Sequence, residues 1–353
     1  MRKILVEAST TYEVLIEKGL LAGAGAEIAK VLSPCKAAII TDSHVAGLYE
    51  KTMRQSLEDA GFTVCTFIFE AGEESKHIGT LGDMVEFLAE QEMTRGDIIV
   101  ALGGGVVGDM AGFCAAIYQR GIPFVQIPTT LLAMVDSSVG GKTAIDLKAG
   151  KNLAGAFYQP RLVLCDTSAL NTLPDEIFAD GMAEVIKYGV IGNAALFEQV
   201  KNGNVRDDMD EIVEACVSMK RDIGMKDEFD TGERQVLNLG HTFGHSIEKN
   251  SNFTISHGKA VAMGLVLIAQ AAEAKGMCKE PISGKIKEAL KKNGLPIETA
   301  MTPKEIAQGT MVDKKRRGGA ISFVFPTKIG ECVIEKVPVE QVEALAKNAL
   351  KGG

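Results

Sequence analysis

The stretch Asp97-Ile-Ile-Val-Ala-Leu102-Gly103-Gly-Gly105-Val-Val-Gly108-Asp109 passes from an apolar run into three glycines, then into a helical pattern from Met110 to Gln119. Read together these are a strand, a tight turn and a helix N-terminus. Glycine lets backbone N–H groups approach an oxygen closely, and the helix dipole favours an anion there. The combination is a cradle for a diphosphate. Its spacing departs from G-x-G-x-x-G, so it matches the dinucleotide-binding fingerprint only in part. Glycine turns also join strands to helices for packing alone, but three consecutive glycines at a strand end favour a ligand.

Around this unit, β-like runs alternate with helical segments. Residues 37–41, 63–69, 124–127 and 162–165 have strand character. Such alternation implies a parallel sheet with crossover helices. Asp42 follows the first of these strands, where a carboxylate can hold a ribose hydroxyl. After Pro174 the pattern turns helical, over 174–189, 194–201, 208–226, 233–250, 258–275 and 283–292. A small hairpin is expected at 321–325 and 332–335, and a last helix at 339–350. The reading divides the chain into an α/β domain, 1–174, and a mainly helical domain, 175–353. A cleft between the two is the expected ligand site.

Composition narrows the function classes. A chain of 353 residues is long enough for two cores. The net charge of −8 excludes a general basic surface for nucleic acid. Seven cysteines are scattered singly, without a C-x-x-C, which implies reduced thiols in a cytoplasm and no disulfide frame. The segment Met1-Arg-Lys-Ile-Leu-Val-Glu7 meets an acid too early for a signal peptide. The longest apolar stretch, 260–272, is too short to span a bilayer and contains Gln270.

A second chemical signal is Arg234-Gln-Val-Leu-Asn238-Leu-Gly-His241-Thr-Phe-Gly-His245. In a helix, Arg234, Asn238, His241 and His245 share one stripe, the position normally given to apolar residues. Polar groups are costly to bury unless they are paired or hold something, so the stripe points to a metal and an anion. Two histidines at i, i+4 suit a divalent ion, and His257 follows nearby. Glu184, in an apolar helical run with Lys187 on the same face, is the candidate acidic ligand. A surface salt bridge is the competing reading of that pair.

The segment Asp136-Ser-Ser-Val-Gly140-Gly141-Lys142-Thr143 nearly matches a phosphate-binding P-loop, but Asp136 replaces the first glycine. A carboxylate there would repel a nucleotide phosphate. A loop that brings Asp136 and Lys142 into an active site fits better.

Taken in order, these pieces carry a family resemblance that runs almost end to end. They are Gly72 to Lys76, Gly103 to Phe113, Tyr118-Gln-Arg120-Gly121, Pro128-Thr129-Thr130, Asp136 to Lys142, Gly150 to Pro160, Ala183 to Gly189, Leu237 to His245 and Asp313-Lys314-Lys315. The chain resembles the 3-dehydroquinate synthase family, of the sugar phosphate cyclase superfamily. The resemblance implies an α/β N-terminal domain with a Rossmann-like parallel sheet, an all-α C-terminal domain and a homodimer. It implies NAD and a divalent metal, Zn²⁺ or Co²⁺. The implied reaction converts 3-deoxy-D-arabino-heptulosonate 7-phosphate to 3-dehydroquinate and phosphate. It runs through transient oxidation at C5, phosphate elimination, re-reduction, ring opening and aldol closure.

The resemblance also assigns residues. Glu184, His241 and His257 are the implied metal ligands. Lys142, Asn152 and Arg120 would surround the phosphate, with Arg120 offered across the dimer. Lys187, Lys220, Arg234, Asn238, His245 and Lys314 would hold the carboxylate, hydroxyls and leaving group, and Asp136 would orient groups near C5. The implied NAD site begins with Asp42, Ala71, Gly72, Glu73, Glu74, Ser75 and Lys76. It continues through Gly105, Val106, Val107, Gly108 and Asp109, then Thr129, Thr130, Lys142 and Lys151. Ala169, Leu170, Asn171 and Thr172 complete it.

Two positions depart from the family pattern, His44 and Asp146, each where asparagine is commoner. Lys220, seven residues before Asp227, favours dehydroquinate synthase over the inosose synthase relatives. Two other classes stay in view. A metal-dependent polyol dehydrogenase of the same fold would release NADH, and the crowd of phosphate-binding cations argues against it. An inactive binding protein would not need the intact metal trio.

Overall fold

The computed structural model describes residues 1–230, 232–311 and 319–351. The chain opens with strands β1 (Arg2–Glu7) and β2 (Thr11–Ile16), helix α1 (Ala24–Val31), strand β3 (Lys36–Asp42), the single turn α2 (Ser43–Val45) and helix α3 (Lys51–Asp59). Strand β4 (Thr63–Phe69), helix α4 (Ile78–Glu90), strand β5 (Ile98–Gly103), helix α5 (Gly105–Ile117) and strand β6 (Phe124–Pro128) continue the alternation. A hairpin of β7 (Lys142–Leu147) and β8 (Gly150–Phe157) precedes β9 (Leu162–Cys165). Helices α6 (Asp175–Gly192), α7 (Ala194–Asn202), α8 (Met209–Lys226), α9 (His241–Asn250), α10 (His257–Ala274), α11 (Ser283–Lys292) and α12 (Pro303–Met311) follow. Strands β10 (Ala320–Lys328) and β11 (Glu331–Pro338) and helix α13 (Val342–Lys351) complete the described chain.

The chain forms two compact units, Met1–Leu173 with Met209–Phe229, and Pro174–Asp208 with Asp230–Gly353. A single sequence boundary near Pro174 does not show that α8 returns to the first unit. There α8 buries Ile212, Val213, Cys216 and Val217 and packs on β1 and β2. Arg2 clamps it by pairing with Glu211 at 3.1 Å and with Glu214.

Among the described residues, the first unit holds a seven-stranded sheet in the order β1-β2-β9-β6-β5-β3-β4. Only β1 and β2 pair antiparallel; the other pairings are parallel. Parallel strands are covered on both faces, which is why β5 is apolar and buried throughout. One face is covered by α4 and α5, where Met84, Leu88, Met110 and Ala111 pack on Ala38 and Ile40. The other is covered by α1 and α3, where Ile28, Met53 and Leu57 pack on Ile39 and Val100. The chain leaves β3 outward to β4, then returns to β5 on the other side of β3. The strand order therefore reverses between β3 and β5, and ligands bind at the carboxyl ends of such a pair.

Among the described residues, the second unit is helical except for the β10–β11 hairpin, as the sequence pattern indicates. Helix α10 is its axis: every residue from Ala260 to Ala272 is buried. Two glycines let α10 approach its neighbours. A Cβ on Gly258 would lie 2.1 Å from the Asp180 carbonyl oxygen on α6, and one on Gly264 would lie 2.1 Å from the Gly240 carbonyl oxygen before α9.

One sequence expectation is corrected. The single helix over 233–250 is two pieces, a 3₁₀ segment Glu233–Asn238 and α9. Gly240 breaks it by taking a left-handed conformation, φ +77°, that other residues adopt reluctantly. Arg234 and Asn238 therefore do not share one continuous helical stripe with His241 and His245.

Candidate active site

In the first unit, the glycine turn meets the reversal point of the sheet. Gly104 caps α5 in an extended conformation and its carbonyl accepts the Gly108 N–H, so the helix begins at the strand end. The next glycines have a packing role. A Cβ on Gly108 would meet the Gln126 side chain at 2.5 Å, and one on Gly112 would meet Thr143 at 2.5 Å. Across the reversal point, Asp42 ends β3. Its Oδ1 accepts from the His44 and Val45 N–H groups, which holds the carboxylate still. Thr41, near the end of β3, and Thr129, just after β6, have buried hydroxyls that make no hydrogen bond among the described residues. Buried polar groups are ordinarily satisfied, so these hydroxyls fit a polar ligand. Ala169 and Thr172 lie in a 3₁₀ segment whose Ala169 carbonyl accepts from Tyr49 at 3.1 Å.

The loop after β4 joins this group through Lys76, which is buried and donates to Asp109 at 2.7 Å and to Asn152 at 2.6 Å. Burial alone would push Lys76 down, but Asp109 and Glu73 outweigh it and raise its pKa. For Asp109 the balance falls the other way, and burial lifts the carboxyl despite Lys76. The ion pair opposes burial at both groups, and its 2.7 Å geometry favours the charged form of Lys76. Lys151 lies 3.5 Å from Glu73. Asp146, a departure from the family pattern, accepts the Asn152 N–H at 2.7 Å. That bond supports the left-handed backbone of Asn152, φ 53°.

Lys142 opens β7 directly after Gly140 and Gly141, both at positive φ. Asp136 lies in the turn Ala133–Ser137 and pairs with Lys220 of α8 at 2.8 Å. Arg120 sits exposed in a bend where Gln119, Arg120 and Gly121 all have positive φ.

The second unit gathers the metal candidates. Glu184 and Lys187 lie on α6, fully buried, so the surface-pair reading of these two residues does not hold. Lys187 pairs with Glu184 Oε2. His241 Nε2 and His257 Nε2 each lie 3.3 Å from Glu184 Oε1. The ligand atoms of Glu184, His241 and His257 all fall within 4.8 Å of one another. Among the described residues both Glu184 oxygens are buried, and their contacts with Lys187 and the imidazoles are ion-pair contacts that lack hydrogen-bond geometry. Two imidazoles and a carboxylate, converging with an unsatisfied buried oxygen, suit a divalent ion such as zinc. The charges agree. Burial alone would raise the Glu184 pKa, yet Lys187 and His241 hold it well below the usual carboxylate range. Burial would lower His257, but Glu184 and Glu248 raise it to about 10. The two carboxylates that favour positive charge on this ring would favour a bound cation in the same way.

Local structure places these ligands. Asp180, one turn before Glu184, accepts from Ser256 and from the Lys259 N–H at 3.0 Å, so it caps α10 where His257 begins. The Leu239 carbonyl lies 3.1 Å from His241 Nδ1 and orients that ring. His245 is exposed on α9, with its ring 5.3 Å from that of His241. Arg234 is buried and Asn238 exposed. Lys314 lies outside the described residues. Sequence reasoning missed Glu248 and Asp180. Glu248 falls seven residues after His241, and that two-turn spacing would have found it.

A sheet with a ligand cradle at its reversal point, and in the same chain a buried Glu-His-His group, define an enzyme with one nucleotide-binding α/β unit and one helical metal-binding unit. Solved structures share this fold. A 2-deoxy-scyllo-inosose synthase complexed with carbaglucose-6-phosphate, NAD⁺ and Co²⁺ superposes with a TM-score of 0.87 at 24% identity, covering 98% of this chain and 99% of that one. The 2-epi-5-epi-valiolone synthase from Streptomyces hygroscopicus subsp. jinggangensis 5008, with NAD⁺ and Zn²⁺ bound, gives 0.87 at 24% identity, covering 99% of each chain. Family models described as 3-dehydroquinate synthase N-terminal and C-terminal match residues 66–180 and 181–316. A 3-dehydroquinate synthase from Clostridium acetobutylicum is 44% identical over 333 residues, 93% of this chain and 94% of that protein. The chain belongs to the 3-dehydroquinate synthase family.

Proposed function

We propose that this chain converts 3-deoxy-D-arabino-heptulosonate 7-phosphate to 3-dehydroquinate and phosphate, using NAD and a divalent metal, Zn²⁺ or Co²⁺. The nicotinamide supplies a hydride acceptor that later returns the hydride, and the metal supplies a Lewis acid for the substrate's oxygens. The observation that carries this reading is the convergence of Glu184, His241 and His257 in a chain 44% identical to a 3-dehydroquinate synthase.

The protein's own residues hold the substrate. Lys142 and Asn152, on the β7–β8 hairpin, bind its phosphate together with Arg120. Lys187, Arg234, Asn238 and His245 receive its carboxylate and hydroxyls, with Lys314 joining them. Asp136, held by Lys220, orients groups near the carbon that is oxidised. The NAD site is formed by Asp42, residues 71–76 and 105–109, Thr129, Thr130, Lys142, Lys151 and residues 169–172. The cationic residues explain how a protein of net charge −8 captures an anionic substrate. We also propose a homodimer in the cytoplasm, with Arg120 offered to the partner's site; its exposed, left-handed bend suits that role. Among the described residues no helix is long and apolar enough to cross a membrane.

The test is to incubate the purified protein with the heptulosonate phosphate and trace NAD⁺. Phosphate should be released far in excess of the NAD⁺ supplied, without lasting NADH absorbance. Stoichiometric NADH would reject this reading in favour of a dehydrogenase.

A further inference from the structure

The two imidazoles of the metal group are held in different ways. His241 turns Nε2 to Glu184, and its Nδ1 lies 3.1 Å from the Leu239 carbonyl, a neutral partner. His257 turns Nε2 to Glu184 as well, but its Nδ1 lies 3.6 Å from Glu248 Oε2. Glu248 is 5% exposed and sits on α9, two turns after His241. One helix thus carries both a ligand and a carboxylate behind the ligand of the next helix. A carboxylate at that nitrogen keeps the proton on Nδ1, frees the Nε2 lone pair and makes the ring a stronger donor. It also sets an ion-pair contact between His257, the first residue of α10, and α9.

We propose that Glu248 is a positioning residue for the metal centre. It fixes the tautomer and orientation of His257 and tightens metal binding without touching the metal. The inference rests on the reading that Glu184, His241 and His257 hold the ion. The geometry also admits a rival role, because the ligand atoms of His245, Glu248 and His257 lie within 4.8 Å of one another. There Glu248 would itself ligate a second cation. The one-ion role is favoured because the same His257 ring already presents Nε2 to Glu184.

The experiment is a Co²⁺ titration of the full chain, followed by visible absorption and by competition with a chelator. The forms compared are wild type, Glu248→Gln, Glu248→Ala and His257→Ala. Glutamine keeps an oxygen acceptor for Nδ1–H but not the charge, so it separates orientation from electrostatics. One equivalent of Co²⁺ is expected in wild type and in both Glu248 variants. Affinity should fall in the order wild type, Gln, Ala, with the total loss on the order of 10–100-fold. The Co²⁺ bands should shift in the Ala variant and largely recover in the Gln variant. If the Ala variant does not fold, the Gln variant carries the comparison. Wild-type affinity in both Glu248 variants would overturn the proposal. So would two equivalents in wild type falling to one in the variants, which would make Glu248 a ligand. His257→Ala should abolish tight binding. Undiminished binding there would instead refute the metal-site reading on which the inference rests.

Discussion

Gly258→Ala tests how the second unit builds its metal group. Gly258 is the second residue of α10, beside His257. An added Cβ would lie 2.1 Å from the Asp180 oxygen, 2.6 Å from its carbonyl carbon and 2.7 Å from its Cα. All three are backbone atoms of α6, so no side chain can rotate away. Reaching the 3.4 Å at which ordinary contact begins requires α10 to retreat by about 1.3 Å, the difference between 3.4 and 2.1. Metal–ligand distances tolerate about 0.2 Å, several-fold less than that retreat. His257 moves with α10 while Glu184 stays on α6, so the group opens. Overpacking costs about 1–3 kcal/mol, and replacing glycine by alanine in a helix returns about 1 kcal/mol. The metal-free protein should therefore lose only about 0–2 kcal/mol, whereas metal affinity falls steeply. Metal content after dialysis against a weak chelator and thermal unfolding of the metal-free form read the two effects separately. Gly284→Ala on α11, with nothing within 4 Å of the added Cβ, is the control and should be neutral or stabilising. Full metal retention with unchanged melting in Gly258→Ala would refute the close-approach argument.

The histidines should separate: His257→Ala loses tightly bound metal and activity together, while His245→Ala keeps the metal and turns over slowly. Metal lost from the His245 variant and retained by the His257 variant would reverse the assignment. Lys142→Ala should fold normally, as the side chain is exposed at the start of β7, yet lose on the order of 10²–10³ in kcat/KM, as expected for a positioned charged donor. A near-normal value would make the Gly140-Gly141-Lys142 loop structural. Lys76 has a raised pKa in the folded state, so the stability it adds is present below the ordinary value of 10.5 and lost as pH rises through the higher folded value. Urea unfolding of wild type and Lys76→Met should show a gap that is constant from neutral pH to about 10 and narrows only above 10.5. Narrowing at neutral pH would contradict the pairing with Asp109.

Most of the first unit was legible because its signals are local. An apolar strand, three glycines and a helix at 97–117 need no tertiary knowledge, and β3, β4, β6 and β9 lie where their apolar runs predict. The β1–β2 pair was passed over even though Ile4 and Val6 alternate inward. The β7–β8 hairpin was hidden because its glycines and lysines read as loop. In the second unit, spacing paired His241 with His245 and marked His257 only as a nearby histidine, and the family resemblance put His257 in place of His245 as a ligand. The physical reason is that a helix displays i, i+4 pairs in the sequence, whereas Glu184, His241 and His257 converge from three helices. Gly240 looked like one more residue of a helical pattern; its left-handed turn sits against Leu265 and Gly264 of α10, which are distant in sequence.

The return of α8 has a consequence for how such a chain is made and inherited. The backbone passes between the two units three times, after Leu173, Asp208 and Phe229. Neither unit is therefore a contiguous cassette. A ribosome must release residue 229 before the first unit has all its parts, so β1 and β2 wait for a helix made after some of the second unit. A fragment starting at residue 174 would carry α8 with Ile212, Val213, Cys216 and Val217 uncovered, an invitation to aggregate. Recombination between relatives preserves function only if residues 209–229 travel with the first half, which ties the two halves into one heritable block.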